Sequence, residues 1–296
     1  MKRVLCLAHC ALLLCGPAYA QGKSALAPGK NKPGHGSGAA APSRNELTSI
    51  APPSSARGGE APLAWIDDAS LLPPGMVSFS ISAMRWDGSG ASEVDFPVVD
   101  AAIGVAPRLQ LSASVPRVVG GADPTGAAGG VGTSFFSAKL AVYEHRMAAF
   151  KVAASPTLQV LGEGVTESAE PGRGRLRWGL PMSAEVSRGI VRLYGGGGYF
   201  SPGLWFAGAA VGAQPAARLF VSGGFARAWR GAETPGVPLA ERDRKEVSGG
   251  AAYVLTPSVT LFGSMSQTVQ TLMENGAGRS IVGGASFSFI AAASKP

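Results

Sequence analysis

RSIVGGASFSFI, residues 279–290, is the stretch that decides the fold. Taken two residues at a time, Ile281, Phe287 and Phe289 fall on one face, and small or polar residues fall on the other. An alternation with a period of two residues predicts a β-strand with one apolar face. The last structured element of the chain is therefore predicted to be a strand with an aromatic end.

The same alternation recurs along the chain after Gly75. It predicts about twelve segments of roughly 9–13 residues, the length that tilted membrane strands require. The segment at 94–105 is the least regular, because Pro97 interrupts it and its parity slips, which predicts an edge-like bulge. The others lie near 76–86, 108–115, 133–143, 150–160, 175–187, 190–199, 203–213, 217–229, 246–255 and 258–270, and the opening stretch at 279–290 completes the set.

The connections between these segments alternate in length. Tight turns are predicted at 106–107, 144–146, 187–189, 214–216 and 256–258. Longer polar or Gly-rich loops are predicted at 87–93, 117–132, 161–174, 230–245 and 271–278, with a short one at 201–202. Strict alternation of short and long connections is typical of an outer-membrane barrel, with short periplasmic turns and longer external loops.

The predicted fold is all-β: a closed antiparallel transmembrane β-barrel of about twelve strands over 76–290, with both termini in the periplasm. A soluble two-sheet sandwich would alternate in the same way, with a charged face outward. Here the non-apolar face is mostly small residues, which suits a narrow lumen better. Aromatic residues near strand ends are expected to form interfacial girdles: Trp86, Tyr143, Tyr199, Trp205 and Trp229.

Two motifs carry a resemblance to a known family. They are LLPPG at 71–75, which runs into a serine-alternating strand, and AIGVAPRLQLSASVPRV at 102–118, in which a strand turns on Ala-Pro and returns. The region 71–290 resembles bacterial outer-membrane transporter barrels related to the meta-pathway phenol-degradation family. The resemblance implies a fold, a location in the outer membrane and loosely a transport role, and it implies no catalytic residues.

The N-terminal region is predicted to be a secretory signal peptide followed by a periplasmic tail. A basic start, an apolar core and an Ala-Tyr-Ala end predict a signal peptide at 1–20. Residues 21–62 are rich in Ala, Pro, Gly and Lys and are predicted to be a disordered periplasmic tail. LAWIDDASLLPPG at 63–75 is a lead-in to the first strand or a small plug, and the lead-in is favoured. Residues 291–296 form a C-terminal tail.

Composition limits the chemistry that the chain can perform. All three cysteines lie in the predicted signal peptide, and only His35 and His145 would remain in the mature chain, so no metal, cofactor or catalytic residue is predicted. The formal net charge of +7 makes the chain basic, but nucleic acid is a poor partner for an exported protein. The expected partners are outer-membrane lipid and lipopolysaccharide, the barrel-assembly machinery and a small-molecule solute.

Charged residues of the predicted strands are expected to face the lumen, because a charged side chain that faces lipid at the bilayer midplane costs roughly 2–4 kcal/mol. Their signs therefore indicate which solutes the lumen would favour. By strand parity, six residues are predicted to line the lumen: Lys139, Lys151, Arg177, Glu185, Arg192 and Arg218. Asp100 is a less regular candidate. The excess of cations predicts an anion-leaning pore, and the alternative is that Glu185 and Asp100 pair with neighbouring cations and stiffen a narrow barrel.

The favoured function is therefore a passive channel or transporter for small solutes with a mildly cationic lumen. One alternative is a structural barrel that anchors the basic tail at 21–62 to the cell wall. A less favoured alternative is an outer-membrane lipid hydrolase, which would need a histidine base near an external rim. His145 is instead expected in a periplasmic turn.

Overall fold

The computed structural model describes residues 63, 65–88, 91–121, 130–145, 149–162, 176–201, 203–230, 243–269 and 278–291. The segments predicted at 1–20 and 21–62, and all but the first residue of 291–296, lie outside these ranges. The strands in chain order are β1 (Met76–Gly88), β2 (Ala91–Ala106), β3 (Leu109–Gly121), β4 (Gly130–Val131), β5 (Ser134–His145), β6 (Phe150–Ala154), β7 (Thr157–Val160), β8 (Leu176–Arg188), β9 (Val191–Phe200), β10 (Leu204–Ala216), β11 (Leu219–Arg230), β12 (Asp243–Thr256), β13 (Val259–Thr268) and β14 (Gly278–Ile290).

The strands form one closed antiparallel sheet. Strands that follow one another around the barrel pair antiparallel, and β1 pairs with β14 along its whole length, from Met76 opposite Ile290 to Gly88 opposite Gly278. Two strand positions are each made of two pieces, β4 with β5 and β6 with β7, so fourteen elements occupy twelve positions. The predicted closed barrel of about twelve strands is confirmed, and the strand predicted at 279–290 is the one that closes it against β1.

Two local features differ from the pattern read in the sequence, and a third follows it. The segment predicted as one strand at 150–160 is interrupted at Ser155 and Pro156, because proline has no N–H to donate to the ladder. The connection predicted as a long loop at 87–93 is short, since β1 ends at Gly88 and β2 begins at Ala91. The bulge expected in β2 is confirmed by register shifts between Val94 and Asp95 and between Asp95 and Val98, the interval that contains the cis Phe96–Pro97 peptide bond.

The outer face of the barrel is apolar, as contact with lipid requires. Ile281, Phe287 and Phe289 are all exposed on it. Trp178 near the start of β8, Tyr199 near the end of β9 and Trp205 near the start of β10 form a chain of ring contacts at one end of the barrel. Trp86 differs from the girdle prediction, because its even position in β1 turns it inward, where it is buried over Gly278.

The buried apolar core lies inside the barrel. Leu63, Trp65 and Ile66, which precede β1, share one buried cluster with inward residues of β9, β10 and β11. The segment at 63–75 therefore packs against the inner wall, and the favoured prediction of a simple lead-in does not describe it. Within the described residues, no helix is long and apolar enough to cross a membrane.

Candidate functional site

The segment at 63–75, called the plug segment below, enters the barrel from the end that carries the short turns. Its last residue, Gly75, donates its backbone N–H to the carbonyl oxygen of Gly104 over 2.7 Å. Further in, the N–H of Leu72 donates to Oε1 of the buried Gln110 in β3 over 2.8 Å. These bonds satisfy backbone groups that would otherwise be buried without partners.

Two adjacent aspartates anchor the middle of the plug segment to the wall. Lys139 Nζ lies 2.9 Å from Asp67 Oδ2 and 3.3 Å from Asp68 Oδ1. Arg192 Nη1 lies 2.8 Å from Asp68 Oδ2. Because all four side chains are largely buried, each charge depends on the others to offset its desolvation.

A serine extends this network along β8. Ser70 Oγ donates to Glu185 Oε2 over 2.7 Å, and Lys151 Nζ donates to Ser70 Oγ over 3.3 Å. Ser183 Oγ donates to the backbone oxygen of Asp68 over 2.7 Å. The plug segment is therefore held against the inner wall of the barrel by hydrogen bonds as well as by ion pairs.

Burial raises the pKa of Asp67 to about 6, against the lowering effect of the nearby Lys139 ammonium. The Asp68 carboxylate raises the same pKa further. Asp67 is therefore the group of the plug segment whose ionisation responds to mildly acidic pH.

The apolar end of the plug segment sits in a notch made by glycines. A Cβ at Gly208 would lie 2.9 Å from Ile66 Cγ1, and a Cβ at Gly224 would lie 2.6 Å from Ile66 Cδ1. Trp65 adopts a positive φ of 62°, and its ring lies 5.8 Å from that of Phe206. Only glycine at both wall positions leaves room for Ile66.

The structure gathers most of the predicted lumen residues on one side of the barrel. Lys139, Glu185 and Arg192 are 3%, 2% and 6% exposed, since they lie beneath the plug segment. Lys151 is half-buried in register with Glu185, and Arg177 is half-buried opposite Gln159. We call this inward face of β5, β6, β8 and β9 the basic wall.

Arg218 does not join the basic wall. β10 continues to Ala216 and β11 begins at Leu219, so Arg218 lies exposed in the turn between them. Strand parity alone placed it on the inward face because the turn was expected three residues earlier.

Sequence reasoning missed several inward charges. Asp67 and Asp68 stand out as adjacent acids in an otherwise apolar box, which is the signal that could have identified them as partners for the wall cations. Arg244 and Glu246 follow the inward parity of β12 and form a buried ion pair of 2.9 Å. No group of three or more His, Cys, Asp or Glu within the described ranges could hold a metal ion.

The opposite side of the interior is polar and keeps contact with solvent. Serine recurs among its inward residues on β13, β14, β1 and β3, and Ser80, Ser264, Ser286 and Ser288 are only half-buried. Asp100 lies among them and accepts a hydrogen bond from Ser80 Oγ over 2.9 Å. We call this face the serine wall.

Comparisons with solved structures identify the fold. An outer membrane channel from Pseudomonas putida F1 is similar with a TM-score of 0.54 at 14% identity, over 75% of this chain and 98% of that chain. The NanC porin has a TM-score of 0.50 at 11% identity, over 71% of this chain and 98% of its own. The KdgM porin, in complex with disordered oligogalacturonate, has a TM-score of 0.48 at 8% identity, over 71% and 99%.

These likenesses define a class of fold: a closed twelve-stranded β-barrel of the kind found in outer-membrane channels and porins. No protein-family model and no curated protein matches the sequence.

Proposed function

We propose that this chain is a passive outer-membrane channel for small solutes. The observation that carries the proposal is the two-sided interior, in which the plug segment covers the basic wall while part of the serine wall, including Ser80, Ser264 and Ser286, keeps contact with solvent. The apolar outer face suits lipid and lipopolysaccharide. The motifs at 71–75 and 102–118 support a place among the transporter barrels related to the phenol-degradation family.

The proposed orientation puts the short turns and both termini in the periplasm. An even number of strand positions brings both ends of the barrel to the same side, where Met76 pairs with Ile290. Insertion by the barrel-assembly machinery remains a prediction.

The proposed cationic character of the lumen belongs to the basic wall and depends on the plug segment. With the segment seated, Asp67 and Asp68 neutralise Lys139 and Arg192. Without it, the same cations would face the lumen and attract small anions. A pore that leans toward anions is therefore proposed only for the unplugged barrel.

Conductance in planar bilayers tests the proposal. The mature chain should give discrete current steps in KCl, and deletion of residues 63–72 should raise the step size by about twofold or more and shift selectivity toward chloride. Asp67→Asn combined with Asp68→Asn should act in the same direction without shortening the chain. Phe136→Ala, on the outer face, serves as the control and should leave the steps unchanged. Absence of steps in all four proteins would contradict a channel.

A further inference from the structure

The plug segment occupies the inner wall as a ligand would, and its chemistry shows what the wall accepts. Its sequence places two apolar residues, Trp65 and Ile66, directly before two acidic ones, Asp67 and Asp68. Trp65 and Ile66 are 3% and 2% exposed, and Asp68 is 6% exposed. The wall therefore offers an apolar position and a cationic position to neighbouring residues of one chain.

The cationic position is formed by Lys139 of β5 and Arg192 of β9. Both ion pairs described for Lys139 are with the plug segment, at 2.9 Å to Asp67 and 3.3 Å to Asp68. Arg192 pairs with Asp68 at 2.8 Å and also lies 3.5 Å from Glu185, which belongs to the wall and stays there. Release of the plug segment would remove both of these carboxylates from Lys139, and a buried ammonium in that state favours binding of another anion.

The apolar position adjoins the same cations. Tyr194 belongs to the buried cluster that contains Trp65 and Ile66, and its ring centroid lies 4.6 Å from Arg192 Cζ. Because Ile66 and Asp67 are consecutive in the chain, their Cα atoms are about 3.8 Å apart. A small molecule that carries an apolar group next to carboxylates can therefore reach both positions at once.

We infer that this part of the inner wall is a binding site for small amphipathic carboxylates, such as aromatic dicarboxylates, and that residues 65–68 occupy it in place of the solute. Binding of the solute and seating of the plug segment exclude each other, so the solute releases the segment that covers the basic wall. The inference rests on the proposed channel function and deepens it, since it names the class of solute.

Tethering favours the plug segment over a free solute. A group held on the same chain competes at an effective concentration on the order of millimolar, so a free carboxylate must be supplied at a similar or higher concentration. An apolar group on the solute strengthens its binding, because it replaces Ile66 in the glycine notch and is removed from water there.

Hydrogen exchange of the full mature chain, measured at the backbone amides of 65–72, tests the inference with phenylsuccinate as the probe. At about 20 mM phenylsuccinate and matched ionic strength, exchange at 65–72 should accelerate by about threefold or more, while strand amides of the serine wall keep their protection. Succinate, which lacks the ring, should have a smaller effect. Phenethylammonium, which has the ring and a positive charge, should have none.

Lys139→Gln separates binding of the probe from retention of the plug segment. If Lys139 only held the plug segment, its loss would free the site and strengthen binding of phenylsuccinate. The inference predicts the opposite, a binding constant weaker by about fivefold or more in isothermal titration calorimetry, because the main cation of the site is gone. Arg218→Gln is the matched control, since it removes a cation from the exposed turn between β10 and β11 and should leave binding unchanged.

The outcomes separate the binding site from the channel. Three results would overturn the inference: no acceleration by phenylsuccinate, an equal acceleration by succinate or phenethylammonium, or unchanged or tighter binding to Lys139→Gln. None of them affects the channel, which is judged by current steps in KCl. A chain that binds phenylsuccinate but gives no current steps would keep the site and overturn the channel, and with it the transport of this solute class.

Discussion

The two walls of this barrel share one backbone pattern but have opposite chemistry. The basic wall carries buried cations and is covered by a segment of the same chain that brings its own carboxylates. The serine wall carries carboxylates, no described inward cation, and side chains that keep contact with solvent. The difference teaches that the inward residues of the strands alone do not give the charge of the interior when another part of the chain packs against them.

Asp68→Asn should have the largest effect on the difference between the two walls, because it should weaken the contact of the plug segment with the basic wall. It removes the shared partner of Lys139 and Arg192 and leaves two buried cations undercompensated, a change that costs about 3–5 kcal/mol in typical buried pairs. Hydrogen exchange of the backbone amides at 65–72 should then accelerate strongly, and strand amides of the serine wall should keep their protection.

The control for this variant is Asp87→Asn at the exposed pair with Arg85. Exposed pairs contribute about 0–1 kcal/mol, so exchange at 65–72 should be unchanged. Equal protection of the plug segment in Asp68→Asn and wild type would show that the ion pairs do not hold it.

A smaller effect is expected from pH. The pKa of Asp67 is about 6 in the seated segment against an ordinary value of 3.8, so the seated form binds the proton more tightly than a released segment would. Protonation therefore stabilises seating, fully below the ordinary value, and this contribution is lost as pH rises through about 6. Exchange at 65–72, corrected for the intrinsic rate, should be slower at about pH 5 than at about pH 7.5.

Asp67→Asn provides the reference for the pH effect, since it should remove most of the dependence between these two values. A dependence of the opposite sign in the wild-type chain would contradict the assigned role of Asp67.

Much of the fold could be predicted from the sequence because each barrel strand alternates apolar outward residues with small or polar inward residues. The alternation in 279–290 and in the similar segments before it indicated the strand positions and the outward faces. The errors fell where the rule does not apply. Turn positions near Arg218 shifted by a few residues, and Pro156 broke a strand that alternates without interruption in the sequence.

The candidate site was less predictable because its partners are distant in sequence. Parity brought Lys139, Glu185 and Arg192 to one face, but it could not show that Asp68 lies against them, more than 70 residues away in the chain. The Asp67–Asp68 pair in an apolar box was a visible signal. The contact of Ile66 with the glycine notch at Gly208 and Gly224 could not be predicted, because only the folded barrel forms that notch.

Thiol labelling tests the two-sided interior most directly. The mature chain predicted here has no cysteine, so Ser264→Cys on the serine wall and Ser183→Cys beneath the plug segment can be compared in otherwise identical proteins. A water-soluble methanethiosulfonate reagent should modify Ser264→Cys rapidly and Ser183→Cys slowly. Adding Gly224→Val, which fills the notch of Ile66, should accelerate labelling at position 183 alone. Equal rates at both positions in the unaltered barrel would contradict the account.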